Sequence, residues 1–165
     1  MREAFRARVI TCSDAASRGE REDRSGPAVR DILAAEGYQV DAIVVLPDER
    51  SDIANAIVEA VDRDSIDLVV TTGGTGVAPR DVTPEATDDV TQKKIPGFGE
   101  LMRAESLRST KMAPLSRCQA AIRGPALVVN LPGGTRGATE NLRSVLHLIP
   151  HVLDLLRGRT AHRPT

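Results

Sequence analysis

The segment IDLVVTT (66–72) is nearly all apolar up to its two threonines. A strand with one wet face alternates apolar with polar residues, so a run this uniform needs cover on both faces, as inside a parallel sheet. Three further runs carry the same residue types: ARVITCS (7–13), YQVDAIVVL (38–46) and PALVVNL (125–131). Amphipathic stretches fill the intervals. SGPAVRDILAAEG places Ser25 as cap, Pro27 in the first turn and Gly37 as a left-handed stop, with Val29, Ile32 and Leu33 on one face. SDIANAIVEAVDRD repeats the pattern, with Ser51 as cap and Ile53, Ile57 and Val61 aligned. GFGELMRAESL is a third helix, and the stripe from Ala138 to Arg157 a fourth that Pro150 should kink or restart.

Strands alternating with helices predict an α/β fold of three layers: a mostly parallel sheet with helices on both faces. Arg123-Gly124-Pro125 between two β-prone runs predicts a hairpin, and with it an antiparallel edge. The chain of 165 residues reads as a single domain over 1–157, followed by a polar tail over 158–165.

In an open parallel sheet, ligands bind beyond the carboxyl ends of the strands. After the first strand come Ser13 and Asp14; after the second, Pro47, Asp48 and Glu49; after the third, Gly73, Gly74, Thr75, Gly76, Arg80 and Asp81; after the fourth, Pro132, Gly133 and Gly134. No other region concentrates turns, hydroxyls and carboxylates in this way. Glycines accept positive φ, so successive N–H groups of GGTG can point into one concavity and an anion can come close to the backbone. The loop is neither a P-loop, which needs Lys and a hydroxyl after its last glycine, nor a dinucleotide fingerprint, whose third glycine would fall on Pro79. Alone it could be an ordinary turn. Asp48 and Asp81 add a reason for it, because carboxylates together with phosphate oxygens form the usual surroundings of Mg2+. Taken singly, Asp48 could serve a surface turn, and Asp81 could pair with Arg80 or mark a helix start.

Composition removes other classes. An aromatic content of 2% with no Trp cannot supply a stacking platform for single-stranded nucleic acid, and a net charge of −1 gives no general pull toward nucleic acid or an anionic membrane. No run is long enough to span a bilayer, and the apolar part of MREAFRARVITCSD is too short for a signal peptide, so a cytoplasmic location is expected. Cys12 and Cys118 form no CxxC pair and read as buried thiols. His147 and His151 have i, i+4 spacing but no third ligand, which argues against zinc.

TTGGTGVAPRDVTPEAT, followed by IPGFGELMR, ESL, LSR and NLPG, with SD at 13–14, DRSGP at 23–27 and PDE at 47–49, resembles the molybdopterin adenylyltransferase family of molybdenum-cofactor biosynthesis. The resemblance covers the chain to about residue 157. It implies that ATP and Mg2+ are used to transfer AMP to the terminal phosphate of molybdopterin, releasing pyrophosphate. It puts Gly73, Gly74, Thr75 and Gly76 at the nucleotide phosphates, with Ser13 and Asp14 beside them. Asp48 and Asp81 become the carboxylates required for catalysis, holding the metal and positioning the substrate. Ser106, Ser116, Pro132 and Gly133 match the pterin side of the pocket. A homotrimer is implied, as is a possible partner protein that inserts molybdate. Two departures are visible: Gly134-Thr135-Arg136-Gly137 where a G-x-P turn is common, and Ala15 where S-D-R is common. A non-catalytic molybdopterin-binding relative and a trimeric scaffold are the competing readings.

Overall fold

The computed structural model describes residues 4–159. The polar tail expected at 158–165 lies outside the described residues from 160 onward. Among the described residues, seven strands and seven helices follow in the order β1 (Arg6–Cys12), α1 (Asp14–Ser17), α2 (Ser25–Ala35), β2 (Gln39–Val40), β3 (Val44–Leu46), α3 (Arg50–Val58), β4 (Leu68–Thr72), α4 (Thr83–Val90), β5 (Lys93–Lys94), α5 (Pro96–Ser106), β6 (Gln119–Arg123), β7 (Ala126–Leu131), α6 (Thr135–Val145) and α7 (Ile149–Leu156). A π-helical turn (Glu59–Arg63) extends α3, and a short 3-10 turn (Ala113–Leu115) precedes β6.

All seven strands form one sheet in the order β2-β1-β4-β7-β6-β5, with β3 also beside β1. The centre is parallel: β1 with β4, and β4 with β7. The expected hairpin is β6-β7, in which Arg123 faces Ala126 and Gly124 takes φ 51°. The exposed Lys93–Lys94 pair, which no sequence pattern marks as a strand, adds to β6 antiparallel.

The uniform apolarity of the central strands has the anticipated cause. Leu68 and Val70 of β4 pack with Leu127 and Val129 into a core that holds Val29 and Leu33 of α2, Met102 of α5 and Leu142 of α6. Val69 and Val128 face the other way, onto Ile53 and Ile57 of α3 and Ala86 of α4. All of these side chains are fully or almost fully buried, and each large one contributes about 1.5–3 kcal/mol relative to exposure.

The run expected as a strand over 38–46 is two strands. β2 pairs with the start of β1 (Arg6 with Gln39) and β3 with its end (Ile10 with Val44). Just after β2 the Asp41 amide still donates to the Ala7 carbonyl at 3.2 Å, while its carboxylate receives the guanidinium of Arg8, 2.5 Å away, and Asp64 takes the same group at 2.7 Å. The charge that β1 carries into the sheet is met there by two carboxylates.

The helix caps also differ from expectation. Ser25 is the first residue of α2, and Asp23 does the capping: its Oδ1 accepts the Gly26 amide at 3.0 Å. α3 starts at Arg50, ahead of Ser51, and has no side-chain cap bond. Pro150 restarts the C-terminal stripe, because α6 ends at Val145 and α7 opens at Ile149 with the proline in its first turn.

Candidate active site

At the carboxyl ends of β1, β4 and β7 lies an open cleft of about 560 Å³. Its walls include Ser13 after β1, Asp48 after β3, Gly73 and Gly74 after β4, Asp81 ahead of α4, and Gly133 after β7. The two carboxylates and the glycine turn therefore share one mouth.

The turns fit backbone against backbone. Gly73 has φ 94°, and a Cβ added there would lie 2.2 Å from the Cys12 carbonyl oxygen. A Cβ on Gly133 would come within 3.2 Å of Gly73 Cα, so the turns after β4 and β7 pack closely backbone against backbone. The Gly73 amide is committed to the Leu131 carbonyl at 3.0 Å. A concavity of amides can therefore begin only at Gly74, which also has positive φ (67°). Thr75 and Gly76 do not line the cleft; Thr75 is buried, with its Oγ1 3.6 Å from the Cys118 thiol.

Asp48 is anchored and incompletely satisfied. Its Oδ2 accepts the Asp14 amide at 3.0 Å, and its own amide donates to Asp14 Oδ1 at 3.0 Å. Its other oxygen, Oδ1, is buried beside Gly74 and receives no donor from the protein. Burial raises the Asp48 carboxyl above the ordinary range; the Asp14 and Asp81 charges add to this, while the Asp14 amide and Arg80 oppose it. Arg80 donates to both Asp14 oxygens (3.0 and 2.9 Å) and holds that carboxyl low. Asp81 Oδ2 accepts the Ala78 amide at 2.9 Å, which curls the loop tip over its own carboxylate.

Among the described residues no group of three or more His, Cys, Asp or Glu side chains is arranged to hold a metal by itself. Two carboxylates with one unmet buried oxygen instead suit a cation that arrives with phosphate oxygens, as Mg2+ does.

The residues expected on the pterin side are dispersed. Gly133 reaches the cleft, whereas Pro132, Ser106 and Ser116 are not among its walls. Ser106 Oγ accepts from Asn141 Nδ2 at 3.0 Å, where α5 meets α6. Ser116 Oγ donates to the Cys118 sulfur at 2.8 Å and lines a second cavity of about 400 Å³ with Arg103 and Arg117.

Part of the cleft carries no periodicity in the sequence, although DRSGP spans Asp23 and Ser25. Thr11 and Thr72 form its floor beside Asp23 and Ser25: Thr11 Oγ1 donates to Asp23 Oδ2 at 2.8 Å, and Ser25 Oγ to Thr72 Oγ1 at 3.0 Å. The strand-end threonines are visible as such, but their partner Asp23 sits in a polar loop with no periodicity to mark it. Asn130, the first residue of NLPG, is fully buried and donates to Thr71 and Thr87 at 3.0 Å, tying the sheet to α4.

Residues 8–151 match the family model described as a probable molybdopterin binding domain. A molybdopterin adenylyltransferase of Helicobacter pylori (strain ATCC 700392 / 26695) is 45% identical over 154 residues, covering 91% of this chain and 86% of its own length. The molybdopterin adenylyltransferase of Escherichia coli K12 is 41% identical over 169 residues, covering 93% and 86%. Among solved structures, the molybdopterin biosynthesis enzyme MoaB of Thermus thermophilus superposes with a TM-score of 0.88 at 46% identity, covering 93% of this chain and 97% of that one.

Proposed function

The chain belongs to the family of probable molybdopterin binding domains, and from that premise we propose that it is a molybdopterin adenylyltransferase of molybdenum-cofactor biosynthesis. It transfers AMP from ATP to the terminal phosphate of molybdopterin. A phosphate oxygen of molybdopterin forms a bond to the α-phosphorus of ATP, the α–β bridging P–O bond breaks, and pyrophosphate leaves. The single observation that carries this reading is that Asp48 and Asp81 open into one cleft with Gly73 and Gly74.

Such a transfer asks a protein for alignment and charge compensation rather than covalent help. The loop after Gly73 offers backbone N–H groups to the nucleotide phosphates. Ser13 lines the same cleft, and Asp14 supports the nucleotide side by fixing Asp48 through the paired amide contacts. Asp48 and Asp81 would hold Mg2+, which supplies charge neutralisation for the departing pyrophosphate when bound. The unmet Asp48 Oδ1 supports that assignment. Ser106, Ser116, Pro132 and Gly133 form the pterin side of the same reading.

The chain works as one catalytic domain over residues 1–157, in the cytoplasm, as a homotrimer that hands its product to a molybdate-inserting protein. Leu107, Met112 and Leu115 are each more than half exposed on one short segment, which suits burial against further copies.

Purified protein given ATP, Mg2+ and molybdopterin is expected to release pyrophosphate and form adenylylated molybdopterin. Tight molybdopterin binding with no ATP-dependent product would instead support the accessory-protein reading. Sedimentation of a monomer at all concentrations would remove the trimer.

A further inference from the structure

We propose that Arg117 is a positioning residue that orients the phosphate loop and the backbone of Asp81 from behind. The inference rests on the adenylyl-transfer reading of the cleft. Four donations from this one residue converge on the loop and its following helix. The Arg117 amide donates to the Thr75 carbonyl at 2.8 Å, Nε to the Gly76 carbonyl at 2.8 Å, and Nη2 to the Asp81 carbonyl at 2.7 Å. Nη1 pairs with Glu85 of α4. The guanidinium thus ties together the two ends of the loop, Gly76 and Asp81, and leaves its tip at Val77 exposed.

The consequence follows from peptide geometry. In a trans peptide the N–H points opposite to the preceding C=O. With the Thr75 and Gly76 carbonyls turned toward Arg117, the amides of Gly76 and Val77 point away from it. The Arg117 backbone thus sets the Gly76 amide through the Thr75 carbonyl, while the guanidinium sets the Val77 amide through the Gly76 carbonyl and also holds the Asp81 carbonyl, two acceptors that its rigid fork spans in a way that one ammonium cannot. Arg117 is not a wall of the cleft that holds Asp48 and Asp81, so its effect on those carboxylates runs through the loop. Glu85 fixes the fork in turn, and the Arg117 hydrogen bond holds that carboxyl below its ordinary range.

The test compares the full-length wild type with Arg117→Gln, Arg117→Lys and Glu85→Gln by amide hydrogen exchange and steady-state kinetics. In Arg117→Gln, peptides spanning residues 75–82 are expected to exchange about 10-fold faster or more while peptides of the central strands are unchanged, and kcat per folded molecule to fall about 10- to 100-fold, the scale of a small misplacement of reacting groups. Arg117→Lys should fall between, and Glu85→Gln should shift both readouts in the same direction by less. Wild-type loop exchange in Arg117→Gln, or activity lost only in step with a lowered Tm, overturns the inference. Should Arg117→Gln fail to fold, Glu85→Gln decides: unchanged exchange and kcat there overturn it. A wild type that makes no adenylylated product sinks the adenylyl-transfer reading, while the exchange comparison still decides whether Arg117 holds the loop.

Discussion

Asp14 and Asp48 clasp each other: each backbone amide donates to the other's carboxylate at 3.0 Å. The two acids end equally well anchored but differently charged in effect. Arg80 pairs with Asp14 at 2.9 Å, whereas Asp48 has an unmet buried oxygen and a carboxyl pushed upward by burial. Asp48 is thus the acid left available for a cation or substrate. Asn at 48 can still offer an oxygen to the Asp14 amide. Asp48→Asn should therefore keep the wild-type Tm within a few degrees and lose about 10²–10³ in kcat. Asp48→Ala should lose as much activity and also destabilise by about 0.5–1.5 kcal/mol, through the abandoned amide bond. Denaturant titration and a pyrophosphate-release assay separate the two effects; an active Asp48→Asn would contradict the assignment.

The glycines of the rim should respond unequally to alanine. At Gly73 the new methyl meets the Cys12 carbonyl at 2.2 Å with φ at 94°, so rigid backbone must move and strain of about 1–3 kcal/mol remains. At Gly74, with φ at 67°, the nearest atoms are side-chain rather than backbone: Oγ1 of the buried Thr83 at 2.3 Å and Asp48 Oδ1 at 3.2 Å. Gly97 has nothing within 4 Å and an ordinary φ. Equilibrium unfolding should rank the variants Gly73→Ala worst, Gly74→Ala intermediate with a larger loss of activity than of stability, and Gly97→Ala neutral or slightly stabilised. Equal effects at 73 and 97 would show that the close approach of the turns costs nothing.

The sheet was legible in the sequence because buried parallel strands carry their signal locally, in a run such as LVVTT whose residues are all buried. The rim was legible for the same reason: strand ends bring their following residues together whatever the loops do. Legibility ended where structure depends on distant partners. Asp41, between β2 and β3, pairs with Arg8, which is 33 residues away in sequence. α4, TPEATDDV, is too polar to announce a packed helix, yet it buries Thr83, Ala86 and Thr87. The LSR motif draws attention to Ser116, whereas it is the neighbouring Arg117 that reaches the glycine loop, 41 residues away.

Asp64 gives the fold an acid sensitivity. Its side chain accepts from Arg63 and from Arg8, which hold its carboxyl near 2, against about 3.9 for a free aspartate. A carboxyl depressed on folding stabilises the native state fully above its unfolded value, and the benefit disappears as pH falls through the folded one. The window is therefore roughly pH 4 down to 2. Asp64→Asn should be less stable than wild type at pH 7, and the gap should close as urea titrations are carried down to about pH 2. A gap that stays constant across that range would show that the carboxylate charge is not what matters.

The two thiols should be inert in the native protein. Burial pushes Cys12 up to about 12, with the charge of Asp48 adding to the effect, and burial likewise raises Cys118 against the hydrogen bond it accepts from Ser116 and the one it donates to Thr75. Thiolate, not thiol, attacks disulfide reagents, and both side chains lie almost wholly out of solvent. At about pH 8 the folded protein should therefore react negligibly with an aromatic disulfide such as DTNB over minutes. In denaturant both cysteines should titrate at once. The rate at low denaturant then reports opening of the structure around β1 and β6, and the two thiols should label together if the sheet opens as one unit. Rapid labelling of Cys12 alone in the native state would mean that the segment carrying Ser13 and Asp14 opens by itself, and Asp14 could not then hold Asp48 fixed.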